Sequence, residues 1–283
     1  MGRFRQAWLV ARFDLGTALR TRRALAAVLL YVLVAVGTGA GLVWVDMELG
    51  RHFDTARVAV NIASTADSNV PSLDEVLSKL PGVDAEMARH LLDMPLIVLG
   101  YFSITLFLLP FLVALVSFDI VNSEVRNRSA RFVLLRCSRT TLLSGKFLSH
   151  GLLLATATLL ANVAIFFYAW WRMPDIPAAR TALLLGQYWA LSLVVGFCYL
   201  SLATLVSSLV DGGGLSMVAM FVVLIALSIL SSSDAVGFLS PSNYKLALWS
   251  PEALVVLGNL AALAAFGTGF LALAWLRIRW RDL

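Results

Sequence analysis

Apolar residues along this chain collect into six long runs, with the polar residues between them. The runs are Ala24–Val45, Pro95–Phe118, Phe147–Trp171, Thr181–Leu209, Gly214–Ser233 and Ala253–Leu276. About 20 consecutive apolar residues let a helix cross the hydrocarbon core of a bilayer, so each run predicts a transmembrane helix. The fourth is long enough to tilt or to run past the lipid. The fifth is short and has a polar end. The pattern predicts an all-α, polytopic membrane protein in which residues 1–283 form a single transmembrane domain.

Two shorter patterns lie outside the runs. In residues 3–21, Phe4, Trp8, Ala11, Leu15, Ala18 and Leu19 fall on one helical arc, with Arg5 and Arg12 at its edge. Such a helix lies in the headgroup layer of a membrane, its apolar arc in the lipid and its arginines near phosphates. Residues 46–94 are punctuated by Pro71 and Pro81–Gly82. Two short helical patterns, "SLDEVLSKL" and "DAEMARHLLDM", start at the capping residues Ser72 and Asp84, which predicts a small external cap. Between the last two runs, "SSDAVGFLSPSNYKLALWSP" mixes turn residues with aromatics, as a partly re-entrant hairpin would.

Composition strengthens the membrane reading. The chain is 60% hydrophobic and 14% charged, with a mean hydropathy of +0.85, well above a soluble domain. Its net charge of +5 does not point to nucleic acid, because the cations flank apolar runs instead of interleaving with stacking aromatics. They orient the chain instead. Arg3, Arg5, Arg12, Arg20, Arg22, Arg23, Arg126, Arg128, Arg131, Arg136, Arg139, Lys146, Arg277, Arg279 and Arg281 fall on one face, fifteen in all. The other face has seven: Arg51, Arg57, Lys79, Arg89, Arg172, Arg180 and Lys245. Both termini and the 119–146 segment are therefore expected in the cytoplasm.

Little in the chain suggests chemistry. No phosphate-cradling GxxxxGK[ST] loop, GxSxG elbow or HExxH helix occurs. Cys137 and Cys198 stand in unlike surroundings and do not suggest a disulfide, and the histidines are scattered. Met87, His90 and Met94 share one helical face, a spacing conceivable for copper but far commoner in apolar packing, so no metal site is assigned. The chain is not expected to be an enzyme, and any energy it uses comes from another chain or from an ion gradient. Asn162, Gln187 and Asn259 are the polar groups within the runs and the candidates for a substrate path. Uncharged amides serve equally as contacts between helices. Gly37 and Gly41 form a GxxxG, echoed by Ala35 and Gly39, which predicts close helix packing.

The 119–146 segment is more organised than a charged connector needs to be. Val125, Arg128, Phe132 and Leu135 share one face of a helix, Glu124 can pair with Arg128, and a polar turn "RCSRTT" leads to Lys146 at the start of the third run. Asp119, Glu124 and "SRTTLLSGK" in this order resemble the cytosolic loop of ABC-2 type transporter permeases. The resemblance extends over nearly the whole chain, and is nearest to the small six-span bacterial permeases that include the nitrous-oxide reductase maturation permease. The loop here lacks the proline that such turns usually carry.

This resemblance implies a permease subunit of an ATP-binding-cassette transporter that moves or extracts a substrate, outward in the family's usual sense. It implies a bacterial inner (plasma) membrane location and a second permease subunit, as a homodimer. It implies two copies of a cytosolic ATPase that bind the ATP and magnesium, so that this chain needs no cofactor of its own. Glu124, Arg126, Arg128, Arg131, Phe132 and Arg139 would form the surface that couples to the ATPase. Two other classes compete: a gradient-driven secondary transporter, for which the runs offer scarcely any ion site, and a non-transporting membrane scaffold, which leaves the loop unexplained.

Overall fold

The computed structural model describes residues 3–20, 24–41, 44, 90, 94–118, 120–122, 137–172, 177–210, 212–233 and 235–280. They form helices and turns only. Helix α1 spans Arg3–Arg20. It is followed by α2 (Ala24–Gly41), α3 (Leu96–Ser117), α4 (Arg139–Arg172), α5 (Ala178–Leu209), α6 (Gly213–Ser231) and α7 (Ala253–Trp280). Helices α2 to α7 are each long and apolar enough to cross a membrane, one for each of the six runs. The predicted cap lies outside the described residues, apart from His90 and Met94.

Helix α5 is the hub, touching α3, α4, α6 and α7. Buried positions run along its length, among them Leu185, Tyr188, Val195, Tyr199, Ala203 and Val206. Small residues set how closely its neighbours approach. A Cβ on Gly267 of α7 would stand 2.5 Å from Phe197 Cε1 and 3.2 Å from Cys198 Cα, so only glycine lets α7 lie this close to α5. Gly39 of α2 similarly faces Ile165 of α4 at 3.2 Å, and Ala35 beside it is buried. Gly37 and Gly41 meet nothing within 4 Å. Of the two small-residue pairs expected on α2, the echo makes the contact within the chain.

Helix α4 begins at Arg139, eight residues before the apolar run at Phe147. The "SRTT" expected as a turn is instead a helix start. Ser138 is its N-cap, its Oγ accepting from the Thr141 amide at 3.2 Å while its carbonyl takes the Leu142 amide at 3.0 Å. No proline is needed to stop the loop, because the cap itself specifies the change of direction. With 34 residues, α4 is roughly 50 Å long at 1.5 Å per residue. That exceeds a hydrocarbon core of about 30 Å, so the extra turns project past the lipid. They project at the cation-rich end, where α1, the start of α4 and the end of α7 meet; this is called the basic end below.

At the far end, α6 and α7 are joined by three 3-10 turns, Gly237–Leu239, Pro241–Tyr244 and Leu246–Trp249. They fold back between the helices. Trp249 packs its ring against Phe102 and Tyr188, with centroids 4.7 and 5.2 Å away. Non-helical backbone at membrane depth is tolerated only when its polar groups are satisfied. Here Ser240 Oγ donates to the Leu227 carbonyl, Tyr244 donates to the Phe238 carbonyl, and the Gly237 amide donates to the Ser233 carbonyl.

Candidate functional site

The described residues at the two ends of the segment between α3 and α4 are both tied to the bundle. At the departure, the turn after α3 buries Ile120 and Asn122. The amides of Val121 and Asn122 both point at Ser207 Oγ of α5, at 3.1 and 3.4 Å, and the Asn122 side-chain amide donates to Ser216 Oγ of α6. These serines are fully buried. The α5–α6 connection that brings Ser207 and Ser216 together turns at Gly212, whose φ of +121° is open to glycine and strained for other residues.

At the return, Arg139 and Lys146 hold two different partners. Arg139 donates from Nη1 to the carbonyls of Ile278 and Arg279, at 3.0 and 2.9 Å. These belong to the last turn of α7, where carbonyls lack helical partners and the helix dipole favours a cation. Six residues further along α4, Gly145 brings α1 into backbone contact. A Cβ there would stand 2.7 Å from Val10 Cβ and 2.8 Å from the Ala7 carbonyl oxygen. Beside it Lys146 is 5% exposed, and its ammonium lies 3.2 Å from Asp14 Oδ1 of α1. His150 Nδ1 is 3.0 Å from the Lys146 carbonyl and 3.5 Å from Asp14 Oδ2. A carbonyl only accepts, so Nδ1 carries a proton.

The arrangement is a mechanical junction. The loop's first end is fixed to α5 and α6 and its second end to α1 and α7, so displacement of the loop reaches four helices. It offers no catalytic constellation. Among the described residues no group of three His, Cys, Asp or Glu side chains is placed to hold a metal. Met94 is engaged elsewhere, its sulfur accepting from the Tyr188 hydroxyl at 3.3 Å.

Residues 8–251 match the family described as ABC-2 family transporter protein. The chain belongs to that family. It is also 28% identical to the protein named "Probable ABC transporter permease protein NosY" of Pseudomonas aeruginosa, over 93% of this chain and 84% of that protein. The ABC-2 chain is thus the permease subunit of an ATP-binding-cassette transporter, a multi-pass membrane protein of a family that associates with ATP-binding-cassette partners.

The residues singled out in the sequence fall into three groups. Glu124, Arg126, Arg128, Arg131 and Phe132 lie outside the described residues. Arg139 is bonded to the end of α7, as above. Asn162, Gln187 and Asn259 stand in different surroundings. Asn162 is buried and donates to the Leu185 carbonyl of α5 at 2.8 Å, Gln187 is exposed, and Asn259 donates to the Val255 carbonyl of its own helix. Sequence reasoning missed Asp14, His150, Asn122, Ser207 and Ser216. Only Asp14 carried a signal, as the single acid in the first 45 residues, set among six arginines.

Proposed function

We propose that this permease works as the membrane half of an exporter, two copies pairing with two copies of a separate cytosolic ATPase in a bacterial inner membrane. ATP and magnesium are bound and ATP is hydrolysed in that partner, and this chain carries no cofactor. The basic end and both termini face the cytoplasm. Nucleotide-driven movement of the ATPases displaces residues 119–146, and the junction passes that movement to α1, α5, α6 and α7, changing access to a path for substrate. The observation that carries this reading is the double tether of the loop. Two of its amides are bonded to Ser207 at one end, and Arg139 and Lys146 are bonded to α7 and α1 at the other.

The orientation has a direct test. A cysteine at Ser68 should react with an impermeant maleimide from outside the cell, and one at Ser129 only after the membrane is opened. The reverse pattern overturns every side assignment above.

Coupling is tested at Phe132. A buried aromatic anchor contributes about 2 kcal/mol or more to an interface, a rim charge less. Phe132→Ala should therefore lower recovery of the co-expressed ATPase in a pull-down. Arg126→Ala should lower it less, with an effect that shrinks in high salt. Equal recovery with Phe132→Ala and the unchanged chain would remove Phe132 as the anchor.

A further inference from the structure

The hairpin between α6 and α7 carries a cation into the middle of the bundle. Lys245 follows the second 3-10 turn, and its ammonium lies 3.4 Å from the carbonyl of Leu106. Leu106 stands halfway along α3, the eleventh of its 22 residues, so the Lys245 ammonium sits near the midplane of the span. It also lies over the Tyr199 ring, 4.5 Å from the centroid. Tyr199 is buried, and its hydroxyl is 2.9 Å from Ser242 Oγ on the same hairpin. No carboxylate among the described residues lies within ion-pair distance of Lys245. A ring face and one carbonyl neutralise an ammonium incompletely, and a charge at this depth costs free energy unless it serves a ligand.

A cavity of about 400 Å³ opens beside this ammonium, walled by α3, α5 and α6. Lys245, Ser242 and Tyr199 make one polar part of its lining; Phe107, Phe111 and Leu224 make its apolar walls, with Ser228 and Ser232 also on the lining. Its mouth lies between α3 and α6. There Phe107 and Ile229 are each 67% exposed, so the opening lies on the side of the bundle and not along the helix axes. The volume is at the small end of ligand cavities. It suits one acyl chain, and two chains with a headgroup would overfill it.

We infer that this cavity is a binding site for a single-chain anionic amphiphile that enters laterally from the bilayer, its acidic head on Lys245 and its chain along Phe107, Phe111 and Leu224. This rests on the permease reading and gives its substrate a chemical class. The Ser242 hydroxyl beside the cation can accept from Tyr199 and keep its own proton for the anionic head, and the apolar walls replace lipid around the chain at little cost.

The test uses the purified permease in phosphatidylcholine nanodiscs without any ATPase, and a fluorescent fatty acid, cis-parinaric acid, against its uncharged methyl ester. The acid should bind about tenfold or more tightly than the ester, the worth of one charge-assisted contact. Lys245→Met should abolish that preference while leaving ester binding intact, and Lys245→Arg should keep it. If the methionine variant does not fold, Ile225→Trp at the mouth replaces it and should weaken both probes together. Equal binding of acid and ester by the unchanged chain, or an acid preference that survives Lys245→Met, overturns the site. Displacement by phosphatidylglycerol as effective as by palmitate overturns the single-chain assignment. Because no ATPase is present, these outcomes are separate from the transport reading. If the acid binds as stated and leaves the assembled transporter's ATPase rate unchanged, its assignment as substrate is overturned while the permease reading stands.

Discussion

Alanine at position 145 will lift the N-terminal helix away from the bundle. The new methyl group would overlap Val10 Cβ and Cγ1 at 2.7 Å and the Ala7 carbonyl oxygen at 2.8 Å. Rotation about χ1 can swing Val10 Cγ1 aside, but neither Val10 Cβ nor the Ala7 carbonyl moves without the backbone, so α1 itself has to move. Overpacking of this kind costs about 1–3 kcal/mol, and the movement also stretches the Asp14–Lys146 pair one residue away. A lower thermal midpoint in detergent is expected. A cysteine reporter at Ala11, which is 1% exposed, should change from protected to reactive toward maleimide. Gly151→Ala is the control on the same helix, because its Cβ would meet only Leu200 Cδ2 at an ordinary 3.7 Å. If Gly145→Ala matches that control in both measurements, the contact between α1 and α4 is looser than the geometry requires.

Lys146→Met will cost more than its lost contact, and neutralising Asp14 will recover most of that loss. Removing one member of a buried ion pair leaves the other charge desolvated, at about 3–5 kcal/mol when burial is complete. The Asp14 side chain keeps 19% of its surface exposed, so roughly 2–3 kcal/mol is the better expectation here. Asp14→Asn in the same chain removes the stranded charge. The double variant should therefore melt close to the parent, while Lys146→Met alone melts well below it. In the assembled transporter the single variant should also lower substrate-stimulated ATP turnover, since Lys146 is one of the two ties at the return of the loop. Additive losses in the double variant would show that the two side chains do not act on each other.

Both predictions concern residues whose importance the sequence disclosed unequally. Glycine and lysine at 145 and 146 stood out as the end of a motif, with no partner visible. The partners are on α1, more than 130 positions earlier, and sequence spacing carries no information about which helix face docks there. The apolar arc of α1 pointed toward lipid. The face that docks on α4 includes Ala7, Val10 and Asp14, and of the expected arc Ala11 is buried while Leu15 and Ala18 pack against the core. Arg139 satisfies the last carbonyls of α7, a role the sequence does not show because it exists only once α7 has folded beside it.

By itself the sequence determined the class and the spans. Lipid cannot hydrogen-bond a backbone, so any run of about 20 apolar residues must become a helix wherever it sits. That requirement is local, and six runs therefore became six helices, with boundaries close to those expected except at the start of α4, which begins eight residues earlier. The order of motifs around Glu124 and Gly145 was also sufficient to place the chain among ABC-2 permeases. Contacts between helices were decided only by the tertiary structure. Gly39, and not Gly37 or Gly41, faces α4, with Ala35 buried on the same helix, because the rotation of α2 about its axis is set by its neighbours. Lys245 read as one more cation on the outer face. Its position near the midplane follows from the fold-back of the hairpin, which depends on Trp249 packing against Phe102 and Tyr188 from two other helices.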